Sequence, residues 1–326
     1  MKVLLTGASG FVGSHILDDL CAHAIPTAAL LRSRSSRRFL TQAGERLEVR
    51  LGTLAEPASL DQALTGITHV IHCAGRTKAV RGSEFYDTNE TGTRNLVAAI
   101  NRRGAAIQRL VHISSLAVAG PAIPARPARE TDPPHPVSDY GRSKLAAECA
   151  VKDGCIPPIT VIRPPAVYGP RDDGFLPIFQ SIKRHLLPRP KAGQALSLVF
   201  VKDLARAVTL CLRSPAAAGK TYFVAGERVT SAREMAALIA AQMNVWTVGL
   251  PLPTAALWPV CLLQELAARL TGQPALLNLQ KFHELRAPGW VCDPSLIQRE
   301  LGYVCPTTLE QGVAETLKWY RNEKWL

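Results

Sequence analysis

Lys2-Val3-Leu4-Leu5-Thr6-Gly7-Ala8-Ser9-Gly10-Phe11-Val12-Gly13 is the stretch that decides the fold of this chain. A short apolar run from Lys2 to Leu5 meets a glycine turn, and a helical pattern follows through Ile16, Leu17 and Leu20, so the segment reads as strand, turn and helix. The spacing Gly-x-x-Gly-x-x-Gly gives each glycine a task. Gly7 permits the tight turn, Gly10 lets the backbone approach a pyrophosphate, and Gly13 lets the helix pack closely on the strand. The amides at the helix N-terminus then face the anion.

Beyond this opening the chain alternates. Strands are expected at 2–6, 26–31, 47–51, 69–73, 109–114, 159–163 and 221–224, with helices such as 11–23, 83–103 and 139–152 between them. Alternation of this kind implies an α/β fold with a doubly wound parallel sheet of the Rossmann type. Segments 170–200 and 227–290 fall outside it, so a smaller, discontinuous C-terminal substrate lobe is expected over the carboxyl ends of the strands. The division that results assigns 1–169 and 201–226 to the dinucleotide-binding domain, and 170–200 and 227–326 to the lobe. The Pro-rich stretch from Gly120 to Pro136 reads as an ordered loop of the site, because the motifs on either side of it must meet in space.

One such motif is Tyr140-Gly141-Arg142-Ser143-Lys144, which lies 25 residues after Ser115. Residues four apart share a helix face. The pattern therefore sets a phenol beside an ammonium, and a neighbouring cation favours the phenolate, so the pair is expected to exchange a proton close to neutrality. Ser115 is placed to hold a substrate oxygen beside that phenol.

The motifs in order, Thr6 to Gly13, His72-Cys73-Ala74-Gly75, Asn89-Glu90-Thr91-Gly92-Thr93, Ile113-Ser114-Ser115, Tyr140 to Lys144, Arg163 to Pro170 and Val201-Lys202-Asp203-Leu204-Ala205, make the chain resemble the extended branch of the short-chain dehydrogenase/reductase superfamily over nearly its whole length. The resemblance implies that Ser115 orients the substrate carbonyl or hydroxyl and that Tyr140 is the general acid/base. It also implies that Lys144 holds the nicotinamide ribose and lowers the Tyr140 pKa. Counting back from Gly120 and Tyr140 favours Ser115 over Ser114. The cofactor-binding set is then Gly7, Ser9, Gly10, Phe11, Val12, Gly13, Arg32, Ser33, Arg37, Thr53, Leu54, Ala74, Gly75, Asn89, Tyr140, Lys144, Pro164 and Val167. By resemblance alone, Asn89 holds the helix next to the fourth strand and a water, and the Val167 backbone approaches the nicotinamide carboxamide.

Cofactor choice can be read at the end of the second strand, where an acidic residue would hydrogen-bond the ribose 2′-hydroxyl of NAD. The sequence there is Leu31-Arg32-Ser33-Arg34-Ser35-Ser36-Arg37-Arg38, with no carboxylate before Glu45. Guanidinium groups bind phosphate through paired hydrogen bonds, so NADP is expected, with Arg32 as the preferred ligand and NAD as the alternative. Thr53 stands where many relatives carry an Asp that contacts the adenine, so that contact must differ here.

The composition fits a soluble enzyme: 326 residues, 47% hydrophobic, with a net charge of +12. The arginines are dispersed and no nucleic-acid motif is present, so a nucleic-acid partner is not expected. The eight cysteines form no Cys-x-x-Cys pair and no zinc spacing, which points to reduced thiols, no metal and a cytoplasmic enzyme. A signal peptide is not expected, because the first strand begins at residue 2. A homodimer is expected. Residues 235–264 carry no charged side chain, but Gly249, Pro251, Pro253 and Pro259 interrupt them, which argues against a spanning helix. The preferred reading is a buried strand followed by a lobe helix; the alternatives are an apolar substrate pocket and a peripheral bilayer contact.

Substrate class rests on three features. No Arg stands in Ala195-Leu196-Ser197-Leu198-Val199-Phe200, where related sugar-nucleotide enzymes place one for the diphosphate. The basic loop suits NADPH and net reduction. Gly289-Trp290-Val291-Cys292-Asp293 resembles dihydroflavonol-reductase-like and 3β-hydroxysteroid-dehydrogenase-like relatives. The expected activity is NADP-dependent interconversion of a carbonyl and a secondary alcohol on an apolar small molecule. The alternative is an NAD-dependent nucleotide-sugar epimerase or dehydratase, with Arg171, Lys183, Arg184 and Arg189 as diphosphate ligands.

Overall fold

Seven strands, β1 (Val3–Thr6), β2 (Thr27–Leu31), β3 (Leu47–Leu51), β4 (His69–His72), β5 (Arg109–Ile113), β6 (Ile159–Arg163) and β7 (Lys220–Phe223), form one sheet in the order β3-β2-β1-β4-β5-β6-β7. All six pairings are parallel. This computed structural model describes residues 1–40, 47–190, 194–252, 254–273 and 279–326. Each strand forms within one residue of the bounds expected from sequence. The order reverses between β1 and β4, and that switch point opens a crevice at the carboxyl ends of the strands.

Helices cover both faces, which is why β1 and β2 are buried along their whole length. On one face, α1 (Phe11–Ala22) packs Ile16, Leu17 and Leu20 with Leu204 and Val208 of α6 (Val201–Arg213). On the other face, α2 (Pro57–Ala63), α3 (Gly92–Arg102) and α4 (Asp139–Gly154) supply Leu60, Leu96, Ile100 and Val151. The helix expected at 83–103 does begin at Ser83, but it passes through a π-turn at Asp87–Thr91 before continuing as α3. This turn holds Asn89, which is buried.

A separate apolar cluster joins α5 (Leu176–Lys183), α7 (Ala232–Met243) and α11 (Leu309–Asn322) through Phe179, Ile182, Met235, Ile239, Val313 and Leu317. Capping boxes at Ser231/Glu234 and Thr308/Gln311 start α7 and α11. Between them run α8 (Thr254–Thr271), α9 (Leu279–Arg286) and α10 (Ser295–Leu301). α10 returns to the sheet, where Ile297 enters the core. Beyond α10, the buried Asp203 carboxylate accepts hydrogen bonds from the Thr307 amide and hydroxyl, and the Asp203 carbonyl accepts one from the Tyr303 hydroxyl at 2.6 Å.

The uncharged segment does form a strand (Val248–Leu252) and then a helix, but the expectation of burial fails. Trp246, Val248, Trp258, Val260 and Leu263 are exposed. Pro259 lies inside α8 without ending it. The side chains of Leu250, Leu252 and Leu257 lie outside the described residues.

One ion pair fastens α4 to the sheet. The buried Arg163 on β6 donates to both oxygens of the buried Glu148 at 2.8 and 2.7 Å, and the Ser114 hydroxyl donates to the same carboxylate at 2.5 Å. Burial, the largest single effect, would raise the Glu148 carboxyl, but the bonds and charge of Arg163, the Ser114 bond and the Lys152 charge together hold the group below its ordinary value. A depressed folded pKa gives stability that is present above the unfolded value of 4.5 and lost as pH falls through the folded one. Glu148→Ala should therefore cost about 3–5 kcal/mol at neutral pH, because it strands the Arg163 charge. Urea unfolding checks this, and a loss within experimental error would contradict it.

Candidate functional site

The glycine turn sits at the switch point. Gly7 has φ +78°, and a Cβ on it would come within 2.7 Å of the Ala74 amide nitrogen beyond β4. A Cβ on Gly13 would collide with the Gly7 carbonyl, so α1 starts directly against the turn. No side chain caps α1 at Gly10, which leaves the amides around Ser9, Phe11 and Val12 without a side-chain partner at that end. Thr6 braces the crevice from below: its Oγ1 accepts from the Ala74 amide at 3.1 Å and contacts His72 Nδ1 at 2.8 Å. These features fit a dinucleotide pyrophosphate, because they leave the space a Cβ would fill and aim amides into it.

At the end of β2, Arg32, Ser33, Arg34 and Arg37 are exposed, and the three arginines form no ion pair among the described residues. Arg38 differs. It pairs with Glu323 at 2.6 Å and lies near the Phe39 and Trp325 rings, which anchors the far end of the loop to the C-terminal segment. Glu45 lies outside the described residues. At the end of β3, Thr53 is half-buried with its amide on Ser59 Oγ, and Leu54 is buried with its carbonyl on Asn95.

Ser115, Tyr140 and Lys144 come together at the carboxyl ends of β5 and β6. Ser138 caps α4 by accepting from the Gly141 amide, and the Ala117 carbonyl packs so closely on Gly141 that a Cβ would collide with it. This contact lays the first turn of α4 against the Ser115 loop and brings the Tyr140 phenol close enough to the Ser115 hydroxyl for that hydroxyl to lower its pKa. Phe85 stacks edge-on against the Tyr140 ring at 6.0 Å. The buried Lys144 ammonium donates to the Ile113 carbonyl at 2.6 Å and stands beside Gly75. The Pro164 carbonyl accepts from the Leu116 amide at 2.8 Å, and Val167 is half-buried against the sheet core.

Electrostatics correct one expectation from the sequence. The Tyr140 phenol is pushed up to about 12 by burial, against a smaller lowering by the Ser115 bond. Desolvation therefore reverses the lowering expected from Lys144. The ammonium itself is lowered from 10.5 to about 8 by burial, with Cys73 and Glu148 opposing. His72, between Thr6 and Thr93, is lowered to about 3 by burial and by Lys144, so it is neutral.

Two supports, Ser143 and Glu148, went unread in the sequence. Asn89 accepts from the Arg76 amide at 2.7 Å and donates to Ser143 Oγ at 2.9 Å, while Ser143 donates to the Tyr140 carbonyl at 2.8 Å. Ser143 lies inside the quoted Tyr-to-Lys motif, and Glu148 lies four residues beyond Lys144 on the same face, so both had a signal in the spacing. Among the rival diphosphate ligands, Arg171 is committed to Asp18 at 2.8 Å, and Lys183 and Arg184 are exposed at the end of α5. The side chain of Arg189 lies outside the described residues.

The profile of the NAD dependent epimerase/dehydratase family matches residues 3–226. Ceramide reductase of Caulobacter vibrioides is 28% identical over 325 residues, covering 99% of this chain and 96% of that protein. UDP-glucose 4-epimerase of Vibrio cholerae is 27% identical, covering 97% and 94%. The crystal structure of DesIV, a dTDP-glucose 4,6-dehydratase from Streptomyces venezuelae with NAD and TYD bound, superposes with a TM-score of 0.81 at 23% identity, covering 99% and 98%.

The buried lysine has a measurable cost. Its folded pKa is depressed, so between about 8 and 10.5 the unfolded chain binds more protons and stability rises with pH; below about 8 the full cost of burying the ammonium is present. Lys144→Met removes this slope. The stability of the variant relative to wild type should fall by roughly 3 kcal/mol between neutral pH and the unfolded lysine value, the equivalent of that shift. Urea unfolding at the two pH values tests this, and a pH-independent difference would contradict a buried ammonium at this position.

Proposed function

From the premise that this chain belongs to the NAD-dependent epimerase/dehydratase family, and is an NAD(P)-dependent enzyme of the extended short-chain dehydrogenase/reductase type, we propose that it uses NADP to interconvert a carbonyl and a secondary alcohol on a substrate with an apolar body. The observation that carries this reading is the end of β2, where Arg32, Arg34 and Arg37 are exposed and, among the described residues, form no ion pair and have no carboxylate beside them to meet a ribose 2′-hydroxyl. The apolar substrate is supported by Leu196 in place of a cation and by the similarity to a ceramide reductase.

The nicotinamide, when bound, supplies the hydride. In the reductive direction Tyr140 donates its proton to the substrate oxygen, and Ser115 donates a hydrogen bond to that same oxygen as negative charge develops on it. A phenol held up to about 12 is fully protonated at neutral pH, which suits the acid role. Lys144 supplies positive charge beneath the site, and Asn89, through Ser143, holds the first turn of α4 in place. A second reading, a nucleotide-sugar epimerase, is supported by the similarity to UDP-glucose 4-epimerase. It loses support from Arg171, whose guanidinium is already paired with Asp18.

Tyr140→Phe should keep the fold and lower turnover by ~100-fold or more, the scale of a lost acid/base group. Near-wild-type turnover would remove Tyr140 from the chemistry. Arg32→Ala should weaken NADPH binding by about 1.5–3 kcal/mol, as for a charge-assisted hydrogen bond, and leave NADH binding nearly unchanged. Equal losses for both nucleotides, read by fluorescence titration, would make the loop structural.

A further inference from the structure

We propose that the outer face of α8, together with the strand edge before it, docks on an anionic lipid bilayer. The helix is apolar on the side that a lobe surrounded by water would make polar. At 100° per residue, Trp258, Val260, Leu263, Leu266 and Leu270 fall within one broad sector, and all five are exposed; Leu263 is 67% and Leu270 89% exposed. Among the described side chains of the helix, those turned inward are Cys261 and Ala268, with Leu262, Gln264 and Glu265 half-buried. A surface helix ordinarily turns charged and polar residues outward. The apolar surface continues onto the preceding strand, where Val248 is exposed and pairs with exposed Leu186 of the Leu186–Pro190 strand. Next to it, Trp246 is 68% exposed and stacked on His185 at 4.2 Å. A patch this large marks a contact surface.

Charge selects the occupant. Around the patch stand exposed cations on α5, α8 and α9: Lys183, Arg184, Arg269, Lys281 and Arg286. The acids of the two hairpin helices, Glu265 and Glu284, are partly buried and already paired, with Arg269 at 2.8 Å and with Lys281 at 3.0 Å. Lys183, Arg184 and Arg286 have no carboxylate partner among the described residues. An apolar face with two tryptophans and a basic rim matches a membrane interface, where aromatic rings lie at headgroup level and cations meet lipid phosphate. A second copy of the chain would instead bring the same unanswered cations against each other. No described helix is long and apolar enough to cross a membrane, so α8 lies on the surface rather than spanning it.

α9 packs against α8 and carries Glu284, whose charge acts on Tyr140. The bilayer-facing layer and the phenol are thus neighbours through one helix. Delivery of an apolar substrate from the lipid along this route rests on the reductase reading; the docking itself does not.

The full-length protein should co-sediment with vesicles of phosphatidylglycerol mixed with phosphatidylcholine, and less with phosphatidylcholine alone. High salt should weaken the binding to the anionic vesicles. Leu263→Glu combined with Leu270→Glu should reduce partitioning at least about tenfold, equivalent to 1.4 kcal/mol or more. If the double variant misfolds, quenching of wild-type tryptophan fluorescence by brominated phosphatidylglycerol reads the same contact. Absence of both co-sedimentation and quenching would overturn the proposal, as would a wild-type dimer that the double variant abolishes while vesicle binding persists. Vesicle binding without any ketone reduction would sink only the reductase reading.

Discussion

The approach of α1 to the first turn is the constraint on which the rest of the molecule depends. Gly13 rests on the Gly7 carbonyl, and Gly7 rests on the backbone at Ala74, so three segments meet with no side chain between them. β1 and β4 are the neighbours at which the strand order reverses, and this contact fixes how their loops leave the sheet. The loops after β2, β4, β5 and β6 then open into one crevice. The arginine loop follows β2 on one side of the switch point, and Ser115, Tyr140 and Lys144 stand beyond β5 on the other.

Beneath the crevice the interior is more polar than a stability argument alone would favour. Thr6, His72 and Thr93 form a buried chain of hydrogen bonds, Lys144 is buried on the Ile113 carbonyl, and Ser114, Glu148 and Arg163 form a buried ionic cluster. Such groups cost desolvation energy and return it only when fully paired. What they supply here is position. The cluster fixes α4 along its length, while Ser138 and Gly141 fix its first turn, so the phenol and the Ser115 hydroxyl meet.

The inner strands of the sheet were legible in the sequence because buried parallel strands read as short apolar runs, and the turn because only glycine satisfies Gly7 and Gly13. The convergence of Ser115, Tyr140 and Lys144 was likewise legible in motif order. Properties that depend on distant segments were not. The Tyr140 phenol moves up rather than down because desolvation depends on what packs around it, Phe85 included, and the charge of Glu284 on α9 adds to the rise. Asp203 is tied to Tyr303 and Thr307, a hundred residues away in sequence. The facing of α8 was misread because hydropathy counts apolar residues without saying whether they point toward protein or outward.

Transfer of deuterium from NADPH labelled at the reactive nicotinamide carbon tests the central claim most directly. Incubated with a panel of hydrophobic ketones, the enzyme should place one deuterium on the carbinol carbon of the alcohol product, as read by mass spectrometry, and the transfer should disappear in Tyr140→Phe. Unlabelled product, or epimerisation of a nucleotide sugar on NAD that never leaves the protein, would contradict the account.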